Sequence, residues 1–554
     1  MKIALIIPRT TTKGNKYAIP FGIGYISAVL KRAGHTVSII NLNHYAKNYH
    51  EKVTEELITF NPKIVATGGL SFSFLQLKHI LTFVKKILPK ARTIVGGMVI
   101  TSQATVVFDK IGADVGVIGE AEETILPLVE ILAKDGNMAS VNGIIFRNKK
   151  TGQLVTTPPR PLIMDLDTLP WPDYEGMGAD ELIPLIKPGS DGGLSLSHHD
   201  NPRVMPIITS RGCPFKCTFC CYELIESRYR TRNLDHVMAE INYLIERFKI
   251  NNLSIKDDLF SPKKSRLIDF CERIKPLNLH WTCSLRVTPV DADVLNLMRE
   301  SGCKSIAYGI ESLSPDILLS MKKKITLAQI EHTLKTTHDA NLGIGANLIF
   351  FDPAETKQTI NESLKWFTDN PQYIFRCVNV GFHPGTVIYE DAINKGIIKD
   401  KVKYLTDSKC EINATMLSDA DYKNLSNRLF FTTTIIGITG RVLSLSENED
   451  DTLSIEAVCP HCKKNNSYKN YKIYINNLHL ISCRSCCKRY RLPILFNEKK
   501  RPTFESSFIH PTSEPIEQKC NYSASSGGMK LGRSLLNNVY IVSEVKASCL
   551  QATI

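Results

Sequence analysis

The chain lacks cysteine over a long initial stretch: none of its 16 cysteines precedes Cys213, and those that follow include two dense clusters. This distribution argues against a disulfide framework and favours metal ligation in a reducing compartment. The sequence also lacks an uncharged run long enough to cross a bilayer, and its first residues, MKIALIIPRT, lack the length and cleavage site of a secretory signal. We therefore expect a cytoplasmic protein without membrane insertion.

Concentrated charge is missing as well. The formal net charge of the 554 residues is +13, but the lysines are scattered and do not form blocks. A solvated surface accounts for them, and we expect no nucleic-acid partner. A chain of this length exceeds what one hydrophobic core organises, so two or more domains are expected.

Repeated strand-then-helix patterns fill residues 1–140. The candidate strands are Lys2 to Pro8, Thr36 to Leu42, Ile64 to Leu70, Thr93 to Gly97 and Val115 to Gly119. This alternation predicts an α/β domain built on a doubly wound, flavodoxin-like parallel sheet. Glycines fall at the carboxyl ends of the last three strands, where open parallel sheets bind their ligands.

A second run of alternation covers residues 204–410. Strands are predicted at 204–210, 252–256, 279–286, 304–310, 344–350 and 374–380. Six strands with helical crossovers predict a partial (β/α)6 barrel of the TIM type, with its chemistry at the carboxyl ends of the strands. Residues 141–203 are rich in proline and are predicted to be a linker, 411–455 a helical extension, and 497–554 a largely disordered tail.

Three cysteines follow the first barrel strand with the spacing C-x3-C-x2-C: Cys213, Cys217 and Cys220. Three thiolates so close together can hold a 4Fe-4S cluster and leave its fourth iron without a protein ligand. That iron can chelate S-adenosylmethionine (SAM), so that one electron from the cluster cleaves the sulfonium to a 5'-deoxyadenosyl radical. A structural zinc loop would want a fourth ligand, and Cys221 is poorly placed to supply it.

This spacing, with Phe219 before the last cysteine, resembles the motif of the radical SAM superfamily. The resemblance implies SAM contacts from Phe219, Asp257, Asp258, Ser284, Arg286, Gly309 and Glu311. Capping or ion pairing at strand ends is the alternative role for these polar groups. The segment from Phe351 to Thr356 departs from the family pattern, in which glycines surround its proline.

Taken with the barrel, residues 1–140 resemble the cobalamin-binding domain of the radical SAM subclass that pairs the two cofactors. The matching pieces are PFGIGY from Pro20, VGG ending at Gly97 and GEAEET from Gly119. The resemblance implies cobalamin contacts from Gly69, Ser71, Gly96, Gly97, Gly119 and Glu120. The loop from Arg9 to Ala18 has no histidine, so we expect no histidine ligand to cobalt from this domain. A flavodoxin-like domain without a cofactor is the alternative.

A second cysteine cluster lies near the carboxyl end. Two C-x2-C pairs, formed by Cys459, Cys462, Cys483 and Cys486, predict a small zinc ribbon over residues 456–496 with one structural zinc ion. Cys487 leaves the fourth ligand ambiguous by one position. The ribbon is basic, which leaves open a docking role for a macromolecular substrate. A second accessory cluster is the less favoured use of these cysteines.

The resemblance implies a cobalamin-dependent radical SAM methyltransferase acting on an unactivated carbon of a small-molecule or carrier-bound substrate, with an electron donor such as flavodoxin or ferredoxin. A non-methylating reaction such as cyclisation, ring contraction or oxidation is the alternative, and no residue separates the two. A methylthiotransferase would need a second cluster in the amino-terminal domain, where cysteine is absent. A zinc-ribbon binding protein with a degenerate enzyme body would lack cluster ligands, which are all present. Neither the substrate nor a catalytic acid or base follows from the sequence.

Overall fold

The computed structural model describes all residues except 12–13, 47–48, 192–193, 222–227, 288–290, 408–411, 436, 451, 473–479, 493, 497–528, 532–538 and 546–554. The chain forms two compact units. The first comprises Met1–Leu185, Thr209–Tyr243 and Gly381–Ile412, and the second comprises Ile186–Ile208, Leu244–Val380 and Asn413–Ile554. Among the described helices, none has the length and apolarity that a membrane crossing requires.

The helices are numbered along the chain. They are α1 (Phe21–Arg32), α2 (His50–Phe60), α3 (Phe74–Ile87), α4 (Met98–Thr101), α5 (Ala104–Ile111), α6 (Ile125–Ala133), α7 (Ala179–Leu182), α8 (Leu234–Phe248), α9 (Lys264–Ile274), α10 (Ala292–Glu300), α11 (Pro315–Ser320), α12 (Leu327–Asp339), α13 (Lys357–Asp369), α14 (Val387–Asn394), α15 (Lys401–Thr406) and α16 (Asp419–Ile435).

The first unit is built on a seven-stranded sheet with the order β2-β1-β3-β4-β5-β6-β7. Its strands are β1 (Lys2–Ile7), β2 (Thr36–Asn41), β3 (Ile64–Gly68), β4 (Arg92–Gly96), β5 (Val115–Val117), β6 (Ile144–Arg147) and β7 (Leu154–Thr156). The first five are parallel, which confirms the predicted flavodoxin-like sheet. β6 and β7 add antiparallel at the edge, so the start of the predicted linker belongs to the sheet.

Both faces of this sheet are covered, as a doubly wound fold requires. Ile3 and Leu5 of β1 pack in one core with residues of α1 and α6, whereas Ala4 and Ile6 pack in another with residues of α2 and α3. The split follows from the alternation of side chains along a strand. Leu405 of α15 joins a third core with residues of α3 and α5, so the late stretch of the chain is part of this unit.

The second unit contains a six-stranded parallel sheet with the order β15-β14-β13-β12-β11-β8. Its strands are β8 (Val204–Ile207), β11 (Asn252–Ile255), β12 (His280–Arg286), β13 (Cys303–Glu311), β14 (Gly343–Phe350) and β15 (Arg376–Asn379). Each lies within a few residues of its predicted position, and the open sequential order confirms the partial barrel. Two short strands, β9 (Ser210–Arg211) and β10 (Arg230–Thr231), pair with each other in the first unit.

Part of the predicted helical extension is a β-sheet. After α16, the strands β16 (Arg441–Glu447), β17 (Leu453–Val458) and β18 (Asn465–Tyr471) form an antiparallel sheet. A register shift between Val442 and Ser444 places the two inward residues of β16, Val442 and Leu445, three positions apart. That spacing is typical of a helix, which explains why the prediction over 441–455 is wrong.

The remaining strands are β19 (Leu480–Ser482), β20 (Arg489–Arg491), β21 (Ile494–Phe496), β22 (Met529–Leu531) and β23 (Val539–Val545). β19 pairs with β20, and β23 pairs with both β21 and β22. β22 and β23 lie in the segment 497–554, which is predicted to be largely disordered; two short strands do not contradict that expectation, and it stays a prediction. The rest of 497–554 lies outside the described residues.

Candidate functional site

The three predicted cluster ligands lie on one short loop of the first unit. Its base is closed by β9 and β10, where Arg211 lies opposite Arg230. Cys217 is buried, and Cys213 and Cys220 are half-buried. The backbone N–H of Cys220 donates to the carbonyl of Cys217 at 3.0 Å. The loop therefore presents three thiols within eight residues of sequence, a donor set suited to a 4Fe-4S cluster with one open iron.

A buried network of ion pairs holds the base of this cysteine loop. Arg230 contacts both carboxylate oxygens of Glu120 at 2.8 and 2.9 Å. Arg211 contacts Glu120 at 3.2 Å and Glu122 at 2.6 Å, and its guanidinium lies 4.8 Å from the ring centre of Tyr25. Charge-assisted, bidentate contacts of this kind fix geometry as well as charge. Both ends of the cysteine loop are thus attached to the loop that follows β5.

The carboxylate of Glu120 is anionic in this setting. Burial alone would raise the pKa of Glu120, but the hydrogen bond from Arg230 and the charges of Arg211 and Arg230 more than offset it and hold the pKa below its ordinary value. Sequence reasoning proposed Glu120 as a cobalamin contact and did not identify Arg230. No local sequence pattern could have linked these two residues, because they are 110 positions apart.

The start of α14 contacts the cysteine loop from another side. The N–H of Ile388 donates to the carbonyl of Thr218 at 3.2 Å. The side chain of Thr386 caps α14 by accepting from the N–H of Tyr389. The Tyr389 hydroxyl lies 3.4 Å from the side-chain oxygen of Gln103, in the segment that joins α4 and α5. The cysteine loop is therefore bounded within the first unit by two separate parts of the chain.

The predicted cobalamin residues lie at the carboxyl ends of β3, β4 and β5, which are neighbours in the sheet. A Cβ atom at Gly97, where φ is 86°, would lie 2.7 Å from the carbonyl oxygen of Gly69. This close packing requires glycine whatever binds there. Gly119, with φ of 77°, differs because a Cβ atom there would meet no described atom within 4 Å. The open space at Gly119 is compatible with a large ligand.

Two further predicted residues fit the same edge. Gly96 ends β4, and its carbonyl accepts from the N–H of Gly69 at 3.3 Å. Ser71 is buried, and its hydroxyl lies 3.1 Å from that of Ser102. The N–H of Gly119 donates to the hydroxyl of Thr101 at 3.0 Å. These contacts bring the strand ends together, and none of them tests a contact with cobalamin.

The expectation that cobalt takes no histidine from this domain stays a prediction. His44 follows β2, and its Nε2 lies 2.6 Å from the hydroxyl of Tyr17 in the loop from Arg9 to Ala18. Burial lowers the pKa of His44, so its imidazole is neutral at pH 7. Sequence reasoning missed this residue because it searched only the loop itself.

The predicted SAM residues of the second unit lie at one edge of its sheet. Asp257 and Asp258 follow β11, Ser284 and Arg286 end β12, and Gly309 and Glu311 end β13. These three strands are adjacent and parallel, so their carboxyl ends meet. Asp257 and Arg286 are buried. Phe219, the remaining predicted SAM residue, lies on the cysteine loop of the first unit.

Glu311 is held in an ion pair that the sequence did not predict. Its Oε1 lies 2.9 Å from Nζ of Lys323, and its φ is 68°. A Cβ atom at Gly309 would lie 2.8 Å from both of these charged atoms. The ion pair thus lies against the Cα of Gly309, which supports the alternative, structural role for this strand end.

The segment that departs from the family pattern forms a strained turn after β14. Phe351 is buried and has φ of 68°, a conformation that favours glycine. Its N–H donates to the buried carboxyl of Glu355, and Asp352 accepts from the hydroxyl of Ser320 at 2.6 Å. Burial raises the pKa of Glu355 to about 8, and the charge of Asp352 adds to the shift. Hydrogen bonds to the two acids thus stabilise a turn whose backbone conformation favours glycine.

The second cysteine cluster converges in space. The sulfurs of Cys459, Cys462, Cys483 and Cys486 all lie within 4.8 Å of one another and could hold a metal ion. Cys487, the fifth candidate, is buried outside this group.

A flavodoxin-like domain with glycine strand ends, a loop with the C-x3-C-x2-C cysteines and a partial parallel barrel together indicate the class of radical SAM proteins that also carry a corrin-binding domain. Comparison with known families agrees. The Radical SAM superfamily matches residues 207–367, and the B12 binding domain matches residues 11–129. The chain therefore contains a radical SAM domain and a B12-binding domain.

Several known proteins are similar over most of the chain. An uncharacterised methyltransferase of Pyrococcus horikoshii is 29% identical over 413 residues, which cover 72% of this chain and 84% of the relative. An anaerobic magnesium-protoporphyrin IX monomethyl ester cyclase of Cereibacter sphaeroides is 26% identical, over 67% of this chain and 60% of the relative. The structure of the radical SAM methyltransferase TsrM from Kitasatospora setae, with cobalamin and a [4Fe-4S] cluster bound, superposes with a TM-score of 0.58 at 16% identity, over 71% of this chain and 75% of TsrM. At that identity the likeness concerns the fold.

Proposed function

We propose that this chain is a cobalamin-dependent radical SAM methyltransferase that methylates an unactivated carbon of a small-molecule or carrier-bound substrate. The observation that carries the proposal is that one compact unit contains both the cysteine loop and the glycine strand ends of the B12-binding domain, joined by Glu120 and Glu122. The name of the Pyrococcus horikoshii relative, to which 72% of this chain is similar over 84% of the relative's length, supports methyl transfer.

In this proposal Cys213, Cys217 and Cys220 hold the cluster, and the strand ends at Gly97 and Gly119 face the corrin. When bound, the cluster supplies the electron that cleaves SAM to a 5'-deoxyadenosyl radical, and cobalamin supplies a carrier for the methyl group. The residues of the chain orient these groups. Glu120 and Glu122 fix both ends of the cysteine loop through their arginine partners.

The carboxyl ends of β11, β12 and β13 offer the SAM contacts of the proposal. Asp257 or Asp258 would accept from the methionine amine, and Arg286 and Ser284 would donate to its carboxylate. Gly309 and Glu311 are proposed to lie near the ribose, even though Lys323 also holds Glu311. Phe219 would lie against the adenine. Electrons would come from a flavodoxin or ferredoxin, and a cytoplasmic location suits a protein that depends on reduced thiols.

A second candidate is a non-methylating reaction on the same two cofactors. It is favoured by the relative from Cereibacter sphaeroides, which is named as a cyclase and of which this chain spans 60%. The two candidates differ in the fate of the SAM methyl group and are separated by one measurement.

The test uses the full chain, purified without oxygen and reconstituted with iron, sulfide and cobalamin. Incubation with methyl-labelled SAM, a reductant and candidate substrates is expected to yield labelled product together with 5'-deoxyadenosine. Formation of 5'-deoxyadenosine with modified but unlabelled product would reject methylation in favour of the second candidate. Cys220→Ala is expected to abolish SAM cleavage, whereas the adjacent Cys221→Ala is the matched control that retains it.

A further inference from the structure

Four thiols of the carboxyl-terminal ribbon have the geometry of a tetrahedral metal site. The sulfurs of Cys459 and Cys486 are 3.8 Å apart, and those of Cys462 and Cys483 are 3.6 Å apart. Four sulfurs at a zinc–sulfur distance of about 2.3 Å form a tetrahedron with edges of about 3.8 Å. The observed separations match this figure. Cys459 and Cys483 are fully buried, so the site is enclosed, as structural zinc sites are.

The two loops that carry these thiols repeat the same backbone turn. In one turn, the N–H of Cys459 donates to the backbone carbonyl of Lys464 at 3.0 Å, and the N–H of Lys463 donates to the backbone carbonyl of Cys459 at 3.0 Å. In the other turn, the N–H of Cys483 donates to the backbone carbonyl of Lys488 at 3.0 Å, and the N–H of Cys487 donates to the backbone carbonyl of Cys483 at 2.9 Å. The spacing along the chain is identical in both turns.

This repetition settles the ambiguity between Cys486 and Cys487. Lys463 and Cys487 occupy the same place in the two turns, and both have left-handed backbones, with φ of 61° and 56°. Lys463 cannot ligate a metal there, and Cys487 is its counterpart. The N–H groups of Ser485 and Cys486 lie 3.4 and 3.5 Å from the sulfur of Cys483, where they would stabilise a thiolate. The ligand set is therefore the four-thiol group without Cys487.

The ribbon is attached to the sheet of the second unit. Arg484 forms an ion pair with Asp200 at 2.6 Å and donates to the carbonyl of Ser197 at 3.0 Å, both in the segment that precedes β8. Arg489 donates to the carbonyl of Ile344, near the start of β14, at 3.1 Å. The contacts with β14 involve the amino-terminal end of the strand, opposite to the edge that carries the candidate SAM residues.

Three arginines of the ribbon are buried or bonded within the second unit. Arg491 is 6% exposed, and the guanidinium groups of Arg484 and Arg489 are bonded to the rest of the second unit. Burial lowers the pKa of Arg489 to about 10, which reflects its position in the interior. These arginines are thus committed within the second unit, whereas Lys463, Lys464 and Lys469 are exposed.

We propose that Cys459, Cys462, Cys483 and Cys486 bind one zinc ion and that this ion stabilises the amino-terminal end of the radical SAM sheet. A four-thiol cluster with a small apolar core gains much of its folding free energy from its metal. Loss of the ion would release Arg484, in the second cysteine loop, and Arg489, at the start of β20, and with them the segment before β8 and the start of β14. This proposal is independent of the reaction that the enzyme catalyses.

The experiment compares Cys483→Ser with Cys487→Ser in the full chain, purified without oxygen. Zinc and iron are quantified, and hydrogen exchange is followed by mass spectrometry. Cys483→Ser is expected to lose about one equivalent of zinc and to exchange faster in peptides covering 194–207 and 343–350, with no change in peptides from 1–129. Cys487→Ser is expected to retain its zinc and wild-type exchange in all of these peptides.

Three results would overturn the proposal. Retention of zinc by Cys483→Ser would exclude this ligand set, and iron in place of zinc in the wild-type ribbon would exclude zinc. Loss of zinc with unchanged exchange in 194–207 and 343–350 would show that the ribbon is an independent module. If Cys483→Ser does not fold, the same exchange measurement on the wild-type protein before and after removal of zinc by a chelator decides the question.

Discussion

Replacing Glu120 with glutamine is expected to destabilise the first unit and the cysteine loop with it. Glu120 is 11% exposed and Arg230 3% exposed, and the two are joined by two hydrogen bonds of 2.8 and 2.9 Å. The substitution keeps the shape of the side chain but leaves the buried charge of Arg230 without a counter-ion. Removing one partner of a buried pair costs about 3–5 kcal/mol. Because Arg211 keeps its ion pair with Glu122, we expect the free energy of unfolding to fall by about 3 kcal/mol.

A matched control lies three residues along the chain. Glu123 forms an ion pair with Arg160 at 2.6 Å, but the two side chains are 47% and 29% exposed. Exposed pairs contribute about 0–1 kcal/mol, so Glu123→Gln is expected to change stability by less than about 1 kcal/mol. The double substitution Glu120→Leu with Arg230→Met removes both charges and is expected to recover most of the loss seen with Glu120→Gln.

The assay is hydrogen exchange as a function of urea concentration, read from peptides covering β5 and β10, with the iron content of each reconstituted variant measured in parallel. Glu120→Gln is expected to lower both the local free energy of opening and the cluster content. Equal stability of Glu120→Gln and Glu123→Gln would refute this interpretation of the network. Weaker cobalamin binding with unchanged stability would instead identify Glu120 as a direct contact of the corrin.

Other substitutions give equally distinct outcomes. Gly97→Ala is expected to destabilise the first unit in urea denaturation by more than the roughly 1–2 kcal/mol of a left-handed residue, because its Cβ atom would meet backbone. Gly119→Ala is expected to lower the free energy of unfolding by only that amount. It should also weaken cobalamin binding, measured by absorbance titration. Burial raises the pKa of Glu355 to about 8, above its ordinary value of 4.5, so stability is lost as the pH rises from 4.5 towards 8. Glu355→Gln should remove this loss, so its melting temperature should change less between pH 6 and pH 9 than that of the wild-type protein. An equal change in the two proteins would contradict this interpretation. Burial lowers the pKa of His280 from 6.5 to about 2, so stability is lost as the pH falls below 6.5, and His280→Phe should reduce that loss in melts at pH 7 and 5.

The two parallel sheets could be predicted because each strand and its helix form a local pattern. Ile3 and Leu5 alternate with Ala4 and Ile6 in a strand buried on both faces, and glycine marks the strand ends. The cysteine spacings were equally informative, since the chemistry of a metal site restricts both residue type and separation. Elements that a local sequence pattern determines were therefore predicted to within a few residues of their observed positions.

Features that depend on distant residues could not be predicted. The partner of Glu120 lies at Arg230 and that of Arg484 at Asp200, and no periodicity connects them. β16 was misread because a shift in strand register imitated a helical spacing at Val442. The choice between Cys486 and its neighbour also required the three-dimensional arrangement of the thiols.

The composition of the first unit from three separated stretches of chain has a consequence for gene truncation. A fragment beginning at residue 204, the boundary that the sequence suggests, would encode the whole cysteine motif and yet omit Glu120 and Glu122, the acids that fix it. Such a fragment would expose two arginines beside the motif. Exchange of catalytic halves between related enzymes would succeed only where the acids and the arginines are inherited together.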